Sequence, residues 1–280
     1  AGIFSYGGWP LLAGFFLVLF GWTDDCRAED ESMDVLLVMD NSTSMARSDS
    51  DFHALAAADL VIGMLRPGDS LSIVSCGADA TIVATGTGDD RDQLEAALRR
   101  LHREASSADP GAALRLIADH YVAKKGKGHE PLVIWFTGRS FSYDVTDPDY
   151  YATEDAVAAM DAAASAADPF KVKAFRDAQP GIVERIGELV SGEAGVLADL
   201  GVPVHMFLAG KSFEAQAADG ASVTSFMRES MRRTGGDLVA FQGPGTGLLA
   251  CVVSVLVEAM NAPALDLDQS TIGPKGESFE

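Results

Sequence analysis

The sequence predicts an α/β protein, with a Rossmann-like, open and mostly parallel sheet and helices on both faces. Residues 35–39, 132–136 and 202–207 are short runs of almost entirely apolar residues, as expected for parallel strands buried on both faces. Segments long enough to form helices separate these runs, and strands that alternate with helices form parallel sheets. The chain has 280 residues, 48% of them hydrophobic, which is enough for one large domain.

The elements follow one another in a regular order. Strands are expected at 35–39, 71–76, 81–85, 132–136, 202–207 and 237–241. Helices are expected at 51–65, 91–101, 111–123, 222–233 and 248–260. Pro67 and Gly68 end the first of these helices, and Gly235 and Gly236 end the fourth. The turn at 77–79 separates the second and third strands.

One connection is longer than this fold requires. About 65 residues lie between the strand that ends at Phe136 and the strand that begins at Val202, whereas a crossover needs roughly 30. The excess contains a tyrosine-rich acidic loop at 141–151 and a helix at 153–167, and a further helix begins at Asp168. We therefore expect one domain at 32–261 with a helical insertion at about 139–181, followed by a C-terminal tail at 262–280.

The N-terminal segment predicts the compartment. Residues 1–23 carry no charge, and 11–20 are strongly apolar. Such a core is short for a bilayer span of roughly 20 residues and suits a signal peptide, so residues 1–28 are expected to be a signal peptide or an uncleaved membrane anchor. Both alternatives place the domain outside the cytoplasm, because acidic residues follow the segment. We expect a periplasmic, secreted or membrane-anchored protein that contacts the membrane only through this segment.

Charge and cysteine content exclude several classes of function. The formal net charge of −20 repels nucleic acid. Cys26, Cys76 and Cys251 form neither a disulfide framework nor a paired metal site. Cys76 and Cys251 lie in apolar runs and are expected to be small core residues.

Three oxygen-bearing side chains follow the first strand. Asp40, Ser42 and Ser44 are spaced by two residues just after the run 35–39. Ligands of open parallel sheets bind beyond the carboxyl ends of the strands, so this loop can direct three oxygens at one point. Carboxylate and hydroxyl oxygens suit a hard cation such as Mg²⁺ rather than zinc. These three residues are the candidate metal ligands.

The loop 40–44 and four further segments together resemble the von Willebrand factor A domain family, in its bacterial extracytoplasmic form. The further segments are 66–74, 109–114, 201–207 and 233–236, and the resemblance covers about 32–261. It implies that Asp40, Ser42 and Ser44 form a metal-ion-dependent adhesion site. It also implies a non-enzymatic module for protein binding, adhesion or assembly, in which an acidic residue of the partner completes the coordination of Mg²⁺ or another divalent cation.

Two positions depart from the family pattern. Ala108 stands where the family has a threonine, and Gly138 stands where its T-D-G loop has an acid, so the site is partly degenerate. Arg139 adds a cation nearby, which opposes a divalent ion. Ser107, Asp109 and Asp144 are possible substitute ligands.

Two alternatives to the metal-dependent module remain open. In the first, Asp40 and the serines only hydrogen-bond the loop and cap the next helix, and a metal-free scaffold binds its partner through the inserted helices at 141–181. In the second, Asp40 is the nucleophile of a hydrolase. That chemistry requires a second acid two residues later, where this sequence has Ser42.

Overall fold

A computed structural model describes residues 32–43, 45, 49–101, 108–125, 128–138, 173–209, 223–241 and 246–261. The predicted N-terminal segment 1–28, most of the predicted insertion 139–181 and the tail 262–280 lie outside the described residues.

Six strands and six α-helices make up the described fold. The strands are β1 (Ser32–Asp40), β2 (Ser70–Cys76), β3 (Ala80–Thr87), β4 (His129–Thr137), β5 (Val204–Ala209) and β6 (Leu238–Phe241). The helices are α1 (His53–Met64), α2 (Arg91–Leu98), α3 (Pro110–Lys124), α4 (Lys173–Asp199), α5 (Val223–Arg233) and α6 (Thr246–Asn261). A short 3-10 turn, Gly88–Asp90, precedes α2.

The strands form one six-stranded sheet in the order β3-β2-β1-β4-β5-β6. All neighbouring strands are parallel except β3, which runs antiparallel to β2 at the edge. The predicted open and mostly parallel sheet is confirmed. The antiparallel direction of β3 follows from its short connection to β2, because a parallel pair needs a crossover of a dozen or more residues.

The core consists of two layers, one on each face of the sheet. Side chains alternate along a strand, so Leu36 and Val38 of β1 face one layer while Val35 and Leu37 face the other. Helices α3, α4 and α5 cover the first face, and α1, α2 and α6 cover the second. Both faces of the central strands are buried, which explains why their sequences are apolar at nearly every position.

Hydrogen bonds and close backbone packing fix the starts and ends of several elements. The carboxylate of Asp49 accepts from the backbone N–H groups of His53 (2.8 Å) and Ala54 (3.1 Å) at the start of α1. At the end of α5, Thr234 Oγ1 accepts from the N–H of Val204 at 3.1 Å. Gly236 lies against that same residue, where a Cβ would be only 2.0 Å from the Val204 carbonyl oxygen. The residues at 233–236, at the end of α5, therefore pack against the start of β5.

Helix α4 runs without interruption from residue 173 to residue 199, through the predicted end of the insertion at 181. The predicted helix at 153–167 and the predicted helix start at Asp168 lie outside the described residues. The strands and helices predicted in the described part of the chain are found, with ends that differ from the predicted ones by up to three residues. Of the helices that the structure describes, none has both the length and the apolar character needed to cross a membrane.

Candidate metal centre at the carboxyl edge of the sheet

The candidate site lies where β1 and β4 end, beside the end of β2. Asp40 is the last residue of β1, Thr137 is the last residue of β4, and Cys76 of β2 pairs with Asp40 in the sheet. Asp40 is 3% exposed and Thr137 is 1% exposed, so both polar side chains lie below the surface. Parallel strands bring these carboxyl ends to a single edge, as the sequence predicts.

The Asp40 carboxylate is held by three uncharged donors. Its Oδ1 accepts from the backbone N–H of Ser42 at 2.7 Å. Its Oδ2 accepts from the hydroxyl of Thr137 at 3.0 Å and from the N–H of Gly138 at 2.8 Å. An ionised carboxylate has about four acceptor positions, so Oδ1 keeps one for a further partner. No cationic side chain of the described residues forms an ion pair with Asp40.

The loop after Asp40 is tied to the end of β2. The N–H of Asn41 donates to the Cys76 carbonyl at 2.9 Å, and its side-chain amide donates to Ser75 Oγ at 2.7 Å. Ser42 is fully buried, and its Oγ accepts from the N–H of Met45 at 3.4 Å. Asn41 Oδ1 is buried and has no hydrogen-bond partner among the described residues. The first two residues of the loop are therefore fixed before any ligand binds.

A second carboxylate lies near this edge, at the start of α3. Asp109 is 2% exposed and caps the helix by accepting from the N–H groups of Gly111 (2.7 Å) and Ala112 (3.1 Å). Its own N–H donates to Gly77 at 2.8 Å, and its carbonyl accepts from Cys76 Sγ at 3.5 Å. Asp109 is one of the substitute ligands that the sequence suggested. Helix capping uses one of its two carboxylate oxygens.

The Cys76 thiol reports the electrostatic field at this edge. Burial raises the pKa of Cys76 well above its usual value, and the negative charges of Asp40 and Asp109 raise it further. Both carboxylates are therefore close enough to act on the same buried group. Together they give the edge a negative potential, which favours a cation.

The two departures from the family pattern can be located. Ala108 is 2% exposed and packs in the core layer beneath α3, where it offers no oxygen ligand. Gly138 contacts Asp40 through its backbone N–H, so the residue aligned with the family's acid does lie beside the site. Ser44, Ser107, Arg139 and Asp144 lie outside the described residues.

The donor chemistry fits a hard cation better than a soft one. The described residues contain no cluster of three or more His, Cys, Asp or Glu side chains. The oxygens at this edge come instead from Asp40, Ser42 and Thr137, which are one carboxylate and two hydroxyls. Magnesium binds through one or two carboxylates and keeps several waters, so a short protein ligand set is compatible with it.

Sequence reasoning missed a second buried polar cluster, at the opposite end of β1. Asp34 is 1% exposed and accepts from Ser70 Oγ (2.5 Å), His120 Nε2 (3.1 Å) and Lys124 Nζ (2.8 and 3.0 Å). Burial by itself raises the pKa of Asp34, but the hydrogen bonds from His120, Lys124 and Ser70 hold it far below its usual range. The sequence offered two signals of this cluster. One was a charged residue within a buried strand, and the other was the spacing of His120 and Lys124 by one helical turn.

Comparisons with known proteins agree with the fold. Residues 35–140 match the family model described as the von Willebrand factor type A domain. A comparison with curated proteins finds no match. A D319A mutant of the PilB minor pilin from Streptococcus sanguinis is similar in structure, with a TM-score of 0.55 and 12% identity over 87% of this chain and 65% of the pilin.

Two further solved structures are also similar. The von Willebrand factor type A protein from Catenulispora acidiphila has a TM-score of 0.51 and 13% identity over 82% of this chain and 43% of that one. Proximal thread matrix protein 1 from the mussel byssus has a TM-score of 0.51 and 11% identity over 82% of this chain and 48% of that one. The chain thus spans less than two thirds of each of these proteins. Residues 35–140 are therefore similar to von Willebrand factor type A domains, and the solved structures share the fold of the sheet.

Proposed function

We propose that this chain is a non-enzymatic module that binds a partner protein outside the cytoplasm, through the carboxyl edge of its sheet. A divalent cation held by Asp40, Ser42 and Ser44, with Mg²⁺ as the first candidate, links the two proteins. An acidic side chain of the partner completes the coordination of the cation. The uncharged, apolar sequence at 1–23 supports export.

The observation that carries this proposal is the charge of Asp40, which no cationic side chain of the described residues compensates. The carboxylate is buried, yet its three described partners are the neutral donors Ser42, Thr137 and Gly138. A buried charge is stabilised best by an opposite charge, and the nearby carboxylate of Asp109 adds to the need for a cation.

A cation at this position would keep part of its charge. One carboxylate and neutral hydroxyls do not neutralise a divalent ion, so an Asp or Glu of the partner would bind to it directly. Phe52 is 55% exposed at the start of α1, which lies at the same edge of the sheet. Aromatic residues are enriched at protein interfaces, which supports a protein partner over a small molecule.

The burial of Asp40 argues against a hydrolase. Its side chain is only 3% exposed, which disfavours direct attack on a substrate. Ser42, two residues later, is not an acid and cannot protonate a leaving group at pH 7.

One observation favours a second candidate function, which is metal-free binding. Gly138 offers Asp40 a backbone N–H where the family has an acid, so the hydrogen bonds that close the loop already exist without metal. In that case the scaffold is structural, and the residues at 141–181 bind the partner.

Thermal unfolding with Mg²⁺ or with EDTA separates the two candidates. If Mg²⁺ binds, a concentration a hundred times Kd stabilises the protein by about 2.7 kcal/mol, or roughly 5–10 °C in Tm for a domain of this size. Asp40→Asn should abolish the shift. Asp51→Asn is the matched control, because Asp51 is an exposed carboxylate of the same connection, and it should keep the shift. Absence of any Mg²⁺ shift in the parent protein would reject the metal site.

Partner binding is tested with the same variants. Capture of partners from an extracytoplasmic fraction is compared in Mg²⁺ and in EDTA, with the parent chain, Asp40→Asn and Asp51→Asn as baits. A partner held by the parent and by Asp51→Asn in Mg²⁺, and lost in EDTA and with Asp40→Asn, supports the proposal. A partner that binds all three baits equally in EDTA supports the metal-free alternative.

A further inference from the structure

A small cavity lies at the amino edge of the sheet, at the opposite end from Asp40. Its volume is about 110 Å³. It opens between the end of α3, the start of β4 and the connection from α4 to β5. The lining residues are Asp34, Tyr121, Lys124, Lys125, Gly128, His129, Pro131, Leu200 and Val202. The proposed function at Asp40 does not involve this cavity.

The one carboxylate in the cavity wall, that of Asp34, is already saturated. Asp34 Oδ1 accepts from Ser70 and Lys124, and Oδ2 accepts from His120 and Lys124, which fills all four acceptor positions of the carboxylate. The Tyr121 hydroxyl donates to the backbone carbonyls of Asp34 (2.7 Å) and Leu132 (3.1 Å). A bound molecule therefore finds no acidic group here that can still accept a hydrogen bond.

Donors, in contrast, remain available. The Lys124 ammonium has three N–H groups, and two of them bind Asp34. The Lys125 ammonium makes no ion pair within the described part of the chain. His129 uses Nδ1 in a 2.6 Å hydrogen bond with Ser32, and its other ring nitrogen is a donor in the tautomer in which Nδ1 accepts from Ser32. A ligand with acceptor oxygens matches these donors.

The charge around the cavity is opposite to that of the chain. The protein carries a net charge of −20, but three of its seven lysines, Lys124, Lys125 and Lys127, fall within four positions of the sequence. The first two line the cavity, and Lys124 is matched by Asp34. A lysine at the end of α3 also stabilises the helix dipole, which explains Lys124 but not the cavity beside it.

Size and shape restrict the ligand further. A cavity of about 150 Å³ accommodates benzene, so one of 110 Å³ takes a small group rather than a nucleotide or a sugar. Pro131, Leu200 and Val202 provide an apolar wall beside the lysines. This combination fits a carboxylate attached to a short alkyl chain better than it fits a fully hydrated phosphate.

We infer that this amino-edge cavity is a binding site for a small alkyl carboxylate, with the anionic group at Lys124 and Lys125 and the alkyl group against Pro131, Leu200 and Val202. The inference rests on three features that lie side by side: a saturated buried acid, lysine donors and an apolar wall.

Titration with butyrate tests it, followed by NMR or calorimetry at constant ionic strength and in EDTA. Binding should be saturable and stronger than that of acetate, because each buried methylene strengthens binding by roughly fourfold. Lys125→Gln should weaken butyrate binding roughly fivefold, as expected for a partly exposed ion pair, while Lys125→Arg retains it. Lys173→Gln is the matched control, because Lys173 is an 81% exposed helical lysine far from the cavity in the sequence.

Other results of these titrations would reject the proposed carboxylate site. Equal effects of butyrate, acetate and phosphate that survive Lys125→Gln would mean non-specific anion binding. Preferential binding of butylamine would mean that the cavity takes cations. Because the titrations contain EDTA, their result does not depend on whether Asp40 holds a metal.

Discussion

Strand β1 carries a buried aspartate at each end, and the two are compensated in different ways. Asp34 is 1% exposed and accepts hydrogen bonds from the cationic side chain of Lys124 and from His120. Asp40 is 3% exposed, and its hydrogen-bond donors among the described residues are all neutral. Charge that is neutralised within the fold contributes to structure, whereas charge that the fold leaves unmatched is available for a ligand.

This difference gives the two edges opposite preferences. At the amino edge the acid is saturated and lysine donors lie beside it, which is why we proposed an anion there. At the carboxyl edge the carboxylates of Asp40 and Asp109 both act on Cys76, so a cation is preferred. In these two proposals the same residue type in the same strand has opposite roles, and the neighbouring helix and loop decide which.

Asp34→Asn should produce the largest loss of stability. An amide in place of the carboxylate leaves Lys124 without its counter-charge and weakens the hydrogen bond with His120, and breaking a buried pair costs about 3–5 kcal/mol. Since the Lys124 side chain is 30% exposed, we expect the lower end of that range, about 3 kcal/mol, in urea unfolding. Asp40→Asn in EDTA should cost less, because no cation is left unpaired. A larger loss for Asp40→Asn would overturn the comparison.

The contribution of Asp34 should also depend on pH in one direction. Its pKa in the folded protein lies far below the unfolded value of about 3.9. The unfolded chain therefore binds the proton first, and the stabilisation is complete above about pH 5 and is lost as the pH falls below 4. The difference in unfolding free energy between the parent protein and Asp34→Asn should stay constant from pH 7 to pH 5 and then shrink. A difference that grows on acidification would contradict this assignment.

Gly138→Asp should convert the carboxyl edge into a stronger cation site. The new carboxylate would lie beside Asp40, since the N–H of Gly138 already donates to that side chain at 2.8 Å. Without metal, two adjacent carboxylates repel each other and the variant should be less stable than the parent by about 1–2 kcal/mol. With Mg²⁺ the order should reverse, and the half-saturating Mg²⁺ concentration should fall about tenfold. Ala108→Thr is the matched single change, because Ala108 is the other position at which this chain departs from the family pattern.

The main strands could be predicted because burial on both faces leaves a clear sequence pattern. Residues 35–39 and 132–136 are apolar at each position, and they became β1 and β4 with small extensions. Asp40 and Ser42 could be placed at a common edge because the carboxyl ends of parallel strands must meet. The approach of Gly138 to Asp40 agrees with the resemblance to the family, which had aligned Gly138 with an acid of the site.

The amino-edge cluster could not be predicted in the same way. Asp34 meets His120 and Lys124 across 86 and 90 residues of sequence, and no local pattern specifies such pairing. The start of α1 also differed from the prediction of 51–65. Phe52 is the N-cap residue, with a left-handed backbone φ of 58°, and the Asp49 carboxylate accepts from the first two N–H groups of the helix. Caps and buried ion pairs depend on tertiary contacts, which periodicity does not record.

Thr137→Val should have the smallest effect, and it tests how Asp40 is held. The change removes the hydroxyl that donates to Asp40 Oδ2 at 3.0 Å and keeps the shape of the side chain. Oδ2 then retains only the N–H of Gly138, so unfolding in EDTA should be easier by about 1–2 kcal/mol. Thr85→Val is the matched control, because the Thr85 hydroxyl contacts Ser72 at 3.1 Å in a neutral pair, and it should cost less. If the Thr137 hydroxyl is also a ligand, Thr137→Val will raise the half-saturating Mg²⁺ concentration while Thr85→Val leaves it unchanged. Equal Mg²⁺ responses in the two variants would restrict Thr137 to a hydrogen-bonding role.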